Sequence, residues 1–162
     1  AALDKLTALR ELCLDKSTLS GRDLAQCKIL PNLTTLGATG VKEITPLLKK
    51  LAQFGKLEAL EVSRVNLTKE DCGYISQLTN LWNLSLKDTP VTDEDIAQFR
   101  NLKKLRDLDL TRCNKLTLKS IDTLAQMKSL EQIRATEALM KADSTTRLRF
   151  ALPRLKGFDV YM

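Results

Sequence analysis

Two aspartates, Asp107 and Asp109, have the residue type and spacing that acid–base catalysis or metal binding would need. Residues two positions apart on a β-strand point to the same face, so both carboxylates could contact one ligand. The 162 residues include no histidine, and neither a nucleophile nor a glycine-rich phosphate loop accompanies the pair. Arg134, on the next predicted strand, is placed to form an ion pair with Asp109. The pattern favours a structural ion pair, and we predict that the chain is not an enzyme.

The four cysteines do not suggest a metal site either. They show no CxxC spacing, and there is no histidine to complete a zinc site. Cys27 and Cys72 fall at apolar positions of predicted helices, where cysteine packs as a small apolar residue. We therefore predict reduced thiols, no metal, no cofactor and a reducing, cytoplasmic location.

The composition is that of one folded domain covering residues 1–162. The apolar content is 43% and the charged content 28%, and no apolar run reaches the roughly 18 residues of a membrane span. No signal-peptide pattern is visible. Three Asn-Leu-Ser/Thr sequons could carry glycans in a secreted protein, but a repeat that places Leu beside small polar residues also produces this triplet by chance. The sequons are at Asn32, Asn66 and Asn83.

The candidate residues are positioned by a unit that recurs along the chain. Residues 81–104 hold one complete copy, which opens with Leu81-x-x-Leu84-x-Leu86. The same opening begins at Leu9, Leu33, Leu57, Leu105, Leu130 and Leu155, so the period is 24 residues four times and then 25 twice. A fixed period in this range is typical of a solenoid. The alternation predicts a short strand with Leu84 and Leu86 pointing inward.

Each strand is followed by a predicted helix that begins at a hydroxyl residue. The predicted N-caps are Ser20, Thr45, Thr68, Thr92 and Thr117. Three of them have an aspartate three residues later, which suits the positive end of a helix, namely Asp23, Asp71 and Asp95. Pro46 fits a first helical turn. The unit after Leu130 is irregular, and we predict its cap at Asp143 or Ser144 with Leu148 inward.

The unit Leu-x-x-Leu-x-Leu-x-x-Thr-x-Val-Thr-Asp-x-Asp resembles the leucine-rich repeat family, and its short units are similar to the bacterial and the cysteine-containing, F-box-associated subclasses. The resemblance covers nearly the whole chain. It implies an α/β fold: a right-handed, horseshoe-shaped solenoid with about seven parallel strands on the concave face and short helices on the convex face. It also implies a protein partner on the concave face. Because residues 1–8 match only the end of a unit, we expect the chain to be a fragment of a longer array or of a larger protein.

One position departs from the family pattern. The ninth residue of each unit is usually Asn or Cys, whose side chain bonds to the backbone between turns. Here the ninth residues are Ser17, Val41, Val65, Thr89, Cys113 and Ala138. Valine and alanine side chains cannot form such hydrogen bonds, so we expect this ladder to be incomplete or completed by water.

Outward residues of neighbouring strands should form columns across the concave face. The third-position column is Glu11, Thr35, Ala59, Asn83, Asp107, Gln132 and Gly157; the fifth is Cys13, Gly37, Glu61, Ser85, Asp109, Arg134 and Asp159; the seventh is Asp15, Thr39, Ser63, Lys87, Thr111, Thr136 and Tyr161. Their formal charge is −4, although the chain as a whole carries +6. A basic chain suits nucleic acid, but the acidic sheet and an aromatic content of 4% argue against it. We expect a basic or polar protein partner and no membrane.

Trp82, at the second strand position, has two interpretations. It is either an exposed interface residue or a residue that lies over the sheet edge against Glu58 or Arg106. The residues predicted to bind the partner are Glu61, Trp82, Asn83, Ser85, Lys87, Asp107, Asp109 and Arg134. We interpret the chain as a non-enzymatic protein–protein interaction scaffold. The alternative is a targeting or regulatory segment of a larger enzyme, such as a kinase or ubiquitin ligase, whose catalytic domain lies outside these residues.

Overall fold

A computed structural model describes residues 2–15, 17–139 and 141–160. Seven parallel strands form one sheet in chain order within these ranges. The strands are β1 (Glu11–Cys13), β2 (Thr35–Gly37), β3 (Ala59–Glu61), β4 (Asn83–Ser85), β5 (Asp107–Leu110), β6 (Gln132–Ala135) and β7 (Gly157–Val160). The helices are α1 (Gly21–Ala25), α2 (Thr45–Leu51), α3 (Lys69–Ile75), α4 (Asp93–Gln98), α5 (Ser120–Leu124) and α6 (Ala142–Ala151). Short 3₁₀ turns are Ala2–Lys5, Leu30–Asn32, Phe99–Asn101 and Glu137–Leu139. The predicted α/β solenoid is confirmed.

The strand register follows the predicted columns. The third-position residues are paired from Glu11 on β1 to Gly157 on β7. Ser85 lies opposite Glu61 on one side and Asp109 on the other. A side chain on one strand therefore has its direct neighbours one repeat before and one repeat after it in the sequence.

In the part of the chain that the structure describes, the core is one apolar cluster that runs from Leu14 to Leu152 between the sheet and the helices. Inward strand leucines such as Leu84 are 1% exposed. Full burial of each such side chain contributes about 1.5–3 kcal/mol. Leu148 of the irregular unit is also fully buried, as predicted. Among the helices in the described part of the chain, none combines the length and the apolar character needed to cross a membrane.

Three of the predicted helix caps are confirmed. Ser20, Thr68 and Thr92 each form a reciprocal capping box with the aspartate three residues later. In the second of these, the Thr68 hydroxyl accepts a hydrogen bond from the amide of Asp71, and that carboxylate accepts from the amide of Thr68 at 2.8 Å. Aspartate thus fills the place that glutamate or glutamine usually takes in this motif.

The predicted caps at Thr45 and Thr117 are wrong. Helix α2 already includes Thr45, its N-cap is Ile44, and Pro46 lies in the first turn as expected. Neither threonine is followed by an aspartate at the third position to complete a box. The hydroxyl of Thr117 instead donates to Asp93 of the preceding repeat at 2.6 Å.

The cap of the irregular unit also differs from the prediction. Helix α6 begins at Ala142 with Lys141 as its N-cap, so Asp143 and Ser144 already lie inside the first turn. An acidic residue near the positive end of a helix is favourable without being the cap itself. The sequence therefore predicted the cap two or three residues too late.

The ninth-position ladder is partial, as the sequence predicts. The Thr89 hydroxyl donates to the carbonyl of Leu86 at 2.6 Å, and the Cys113 thiol reaches the same oxygen at 3.1 Å. Val41 and Val65 fill the same position with buried apolar groups. The turns that follow β4 and β5 are therefore held by hydrogen bonds, whereas those that follow β2 and β3 are held by apolar packing.

Candidate protein-binding surface

The two aspartates on β5 are bridged by one arginine on β6. Arg134 places its Nη2 atom 2.7 Å from Asp107 Oδ1 and its Nε atom 3.2 Å from Asp109 Oδ2. The three side chains are only 15–21% exposed. The predicted ion pair with Asp109 is confirmed, and it extends to Asp107. Both carboxylates of β5 therefore form ion pairs with Arg134.

Burial has the largest effect on the pKa of Asp107. Desolvation raises the pKa of Asp107 above its ordinary value, although the positive charge of Arg134 and its hydrogen bond act in the opposite direction. Asp109 also accepts a hydrogen bond from the amide of Thr111 at 2.9 Å. No group of three or more potential metal ligands occurs within the described ranges. The arrangement is that of a polar cluster on the sheet in which one guanidinium partly offsets two carboxylates.

The other half of the concave face contains a shallow groove of about 470 Å³ between β1 and β4. Its lining includes three small residues on neighbouring strands: Cys13 lies directly opposite Gly37, and Ala59 lies opposite Thr35, two positions before Gly37. At Gly37 even a Cβ atom would come within 3.2 Å of the Cys13 sulfur. We call this surface, lined also by Glu11, Glu61, Trp82 and Asn83, the concave groove. The small side chains create the depression, since larger ones fill the sheet surface further along.

The carboxylates at this groove are exposed. Glu61 accepts hydrogen bonds from the hydroxyls of Thr39 and Ser63, both at 3.1 Å. Neither Glu11 nor Glu61 has a cationic side chain within 4 Å in the part of the chain that the structure describes. Two exposed carboxylates without a cationic partner, Glu11 and Glu61, are therefore available on the concave face near β1 to β3.

The seventh-position column, predicted to be exposed, is exposed at Asp15 but is buried at three of its other positions. Ser63, Thr111 and Thr136 are 2–7% exposed. Strands such as β3 end at the fifth position of the unit, so the alternation of inward and outward side chains no longer holds two residues later. Lys87 at this position is half-buried, and Tyr161 lies outside the described residues.

Trp82 is 45% exposed and forms the boundary between two depressions. On one side it borders the concave groove. On the other it lines a second cleft together with Glu58 and Arg106. Trp82 therefore lies between Glu58 and Arg106 at the sheet edge and is also exposed, while its role at an interface stays a prediction.

The predicted partner-binding residues fall into separate groups. Glu61, Trp82 and Asn83 lie at the concave groove. Asp107, Asp109 and Arg134 form the ion-pair cluster, and Ser85 lies between the two groups. Lys87 is two residues beyond the end of β4. The groove floor was not predicted, although the small residues Cys13 and Gly37 are neighbours in the fifth-position column and Ala59 lies in the third.

Comparison with known proteins places these features in context. No protein-family model matches the chain. A Trypanosoma equiperdum protein with the provisional name adenylate cyclase regulatory protein is 35% identical over 109 residues, which cover 65% of this chain and 16% of that protein. A leucine-rich repeat protein from Leptospira interrogans superposes with a TM-score of 0.59 and 26% identity over 96% of this chain and 38% of its own. An internalin from Listeria monocytogenes shares the fold with a TM-score of 0.52 and 20% identity over 82% of this chain and 43% of its own. The chain thus spans less than half the length of each.

Proposed function

We propose a protein-interaction function for this chain, which belongs to the leucine-rich repeat family. The concave groove binds a basic or polar segment of a partner protein in an extended conformation. The observation that carries this assignment is the combination of a floor of small residues with two exposed carboxylates, Glu11 and Glu61, that have no cationic neighbour in the described ranges. Catalysis is not part of this proposal.

The charges at the groove suit a basic segment. An extended segment that follows the sheet places a Lys or Arg side chain near Glu61 at one end and near Glu11 at the other. Such contacts mainly set orientation and the rate of association, and they weaken as salt increases. Trp82 offers the large amphipathic surface that often dominates interface energetics.

The ion-pair cluster on β5 and β6 supports the proposal because its two carboxylates are less available to a basic partner. Because Arg134 already bridges Asp107 and Asp109, a basic partner would have to displace it from contacts of 2.7 and 3.2 Å. Removing one member of a desolvated ion pair is costly. The free carboxylates near β1 to β3 are therefore the better contacts for a partner.

Charge reversal at the groove tests this assignment. We compare affinity purification from a cell lysate with the unmodified chain, the Glu11→Lys, Glu61→Lys variant, and a control with Glu70→Lys and Glu94→Lys on the helical face. A captured protein is then purified, and the segment that crosslinks to the chain is titrated as a synthetic peptide against all three proteins. We expect a basic or polar segment whose affinity falls in the groove variant and is kept in the control. Equal binding to all three, or loss only in the control, contradicts the assignment.

A second function, regulation of an enzyme, is favoured by the name of the trypanosome protein, of which this chain would correspond to a short part. In that case the groove would bind the regulated domain, or another domain of a longer protein. The full reading frame discriminates the two functions, because it either encodes a catalytic domain beside the repeats or does not. A cytoplasmic location is also part of the proposal, since Cys13 is an exposed free thiol.

A further inference from the structure

The cleft on the far side of Trp82 carries the opposite charge to the concave groove. It has a volume of about 580 Å³ and lies where the chain returns from the helices to strands β4 to β7. Its lining residues are Glu58, Asn80, Trp82, Lys103, Lys104, Arg106, Ser129 and Arg154. We call it the edge cleft. Lys104, Ser129 and Arg154 occupy the same position of successive repeats, directly before the first leucine, so the repeat itself aligns them along the cleft.

Among the described residues that line the edge cleft, four cations face one carboxylate, Glu58. Lys103 and Arg154 form no ion pair within 4 Å in the described part of the chain. Arg106 is 3.8 Å from Glu131, and its side chain remains 60% exposed. A local excess of positive charge of this kind attracts and orients an anionic partner.

One of the cations is held in place by a neutral anchor. Lys104 donates from Nζ to Asn80 Oδ1 at 2.6 Å. The amide group of Asn80 in turn donates to the carbonyl of Gly55, one repeat earlier. The ammonium group is thus positioned without being neutralised, and it loses less conformational freedom when an anion binds.

We propose that the edge cleft binds an acidic peptide segment. Carboxylates of the segment pair with Lys103, Arg106 and Arg154, and an apolar side chain of the segment packs against the exposed face of Trp82. This proposal does not depend on the concave groove, which uses carboxylates of this chain and takes a partner segment of the opposite charge.

The distribution of charge favours a peptide over a nucleic acid. Glu58 lies in the cleft, and Glu131 lies beside it in contact with Arg106. A single strand carries a phosphate at every nucleotide and would face these carboxylates. A peptide can place a neutral or basic residue opposite them. Trp82 is also the only tryptophan available for base stacking.

Binding of a defined acidic peptide tests the proposal. The probe is a short acetylated, fluorescein-labelled peptide of Glu and Asp residues with one central Leu, and its control has Gln and Asn in their place. Fluorescence anisotropy measures affinity, and emission of Trp82 in the presence of the unlabelled peptide reports whether binding occurs at the cleft. The charge-reversal variant is Lys103→Glu, Arg154→Glu, and its matched control is Lys49→Glu, Lys50→Glu on α2. All four residues are exposed, so the fold should be retained.

We expect saturable binding of the acidic peptide with a change in Trp82 emission, and no binding of the neutral control. The cleft variant should weaken binding by about tenfold or more, while the α2 variant should change it by less than about twofold. Equal weakening in both variants would show general attraction to a basic surface and overturn the proposal. Binding without any change in Trp82 emission, or no saturable binding, would overturn it as well. Tighter binding of oligodeoxythymidylate with the same sensitivity to the cleft variant would assign the cleft to nucleic acid instead.

Discussion

Replacing Arg134 with methionine removes the guanidinium that bridges two carboxylates on the concave sheet and keeps most of the side-chain length. The side chains of Arg134, Asp107 and Asp109 are 15–21% exposed, so water can replace the lost contacts only in part. Two negative charges would then face each other on the same strand without a cation within hydrogen-bonding distance. The variant isolates this electrostatic contribution because the buried leucines beneath the sheet are unchanged.

The expected loss of stability follows from the two contacts. Each is a hydrogen bond between charged groups, at 2.7 and 3.2 Å, and such bonds contribute about 1.5–3 kcal/mol each. Residual solvent access lowers the sum, while repulsion between the aspartates adds to it. We expect the free energy of unfolding to fall by about 2–4 kcal/mol at neutral pH.

The loss should also depend on pH. Burial already raises the pKa of Asp107 in the folded protein, and Arg134 counteracts this rise. A carboxyl group whose pKa is higher in the folded state stabilises the fold when it is protonated, and this contribution is lost as the pH rises through the folded pKa. Without Arg134 the pKa of Asp107 rises further. The difference between the variant and the unmodified protein should therefore shrink as the pH falls toward about 4, near the ordinary value for aspartate.

Urea denaturation followed by circular dichroism measures these free energies at neutral and mildly acidic pH. Adding Asp107→Asn and Asp109→Asn to the Arg134→Met variant should recover much of the lost stability, because no buried charge is left without a partner. A loss below about 0.5 kcal/mol, a loss that does not change with pH, or no recovery in the triple variant would refute the reasoning.

Three further predictions test other parts of the fold. Leu84→Ala should lower the free energy of unfolding by about 2–5 kcal/mol because it leaves a cavity in the core. Ser85→Ala on the outward face should change it by less than about 0.5 kcal/mol. Equal denaturation midpoints for the two variants would contradict the assignment of the strand faces. Thr92→Ala removes a capping box and should cost about 1 kcal/mol, with Thr92→Ser as the control that restores the cap. Burial and two nearby aspartates raise the pKa of Cys72 to about 12, so iodoacetamide should modify Cys13 in the folded protein and Cys72 only after unfolding, as read by mass spectrometry.

The strands were predictable because one physical requirement repeats at every turn. Each unit must bury the fourth and sixth residues of its opening, so Leu84 and its counterparts define both the strand and its register. The cap at Thr92 was predictable for a similar reason, since the hydroxyl and the carboxylate of Asp95 satisfy each other's backbone groups. Local chemistry and the global fold require the same residues at these positions.

The structure differs from the sequence prediction where a side chain forms its hydrogen bond with a residue of another repeat. Thr117 has the residue type of a cap, but its hydroxyl donates to Asp93 of the previous repeat. Ser63 is polar and follows an outward residue by two positions, but the strand has already ended, and its hydroxyl is buried within hydrogen-bonding distance of Glu61 and Ser85. The depth of the concave groove depends on small residues on three adjacent strands together, which no single unit reveals.

The formal charge of the predicted columns did not locate the negative surface, because it counts residues and ignores their contacts. Arg134 forms ion pairs with both aspartates of β5. Glu11 and Glu61, near β1 to β3, remain as accessible carboxylates. Across Trp82 the sign reverses, since the lysines and arginines of the edge cleft belong to the segments that enter the strands. Two surfaces of opposite charge thus share one aromatic residue. Substitutions at Glu61 or at Lys103 can separate the two proposed contacts, whereas a change at Trp82 affects both and cannot assign a partner to either.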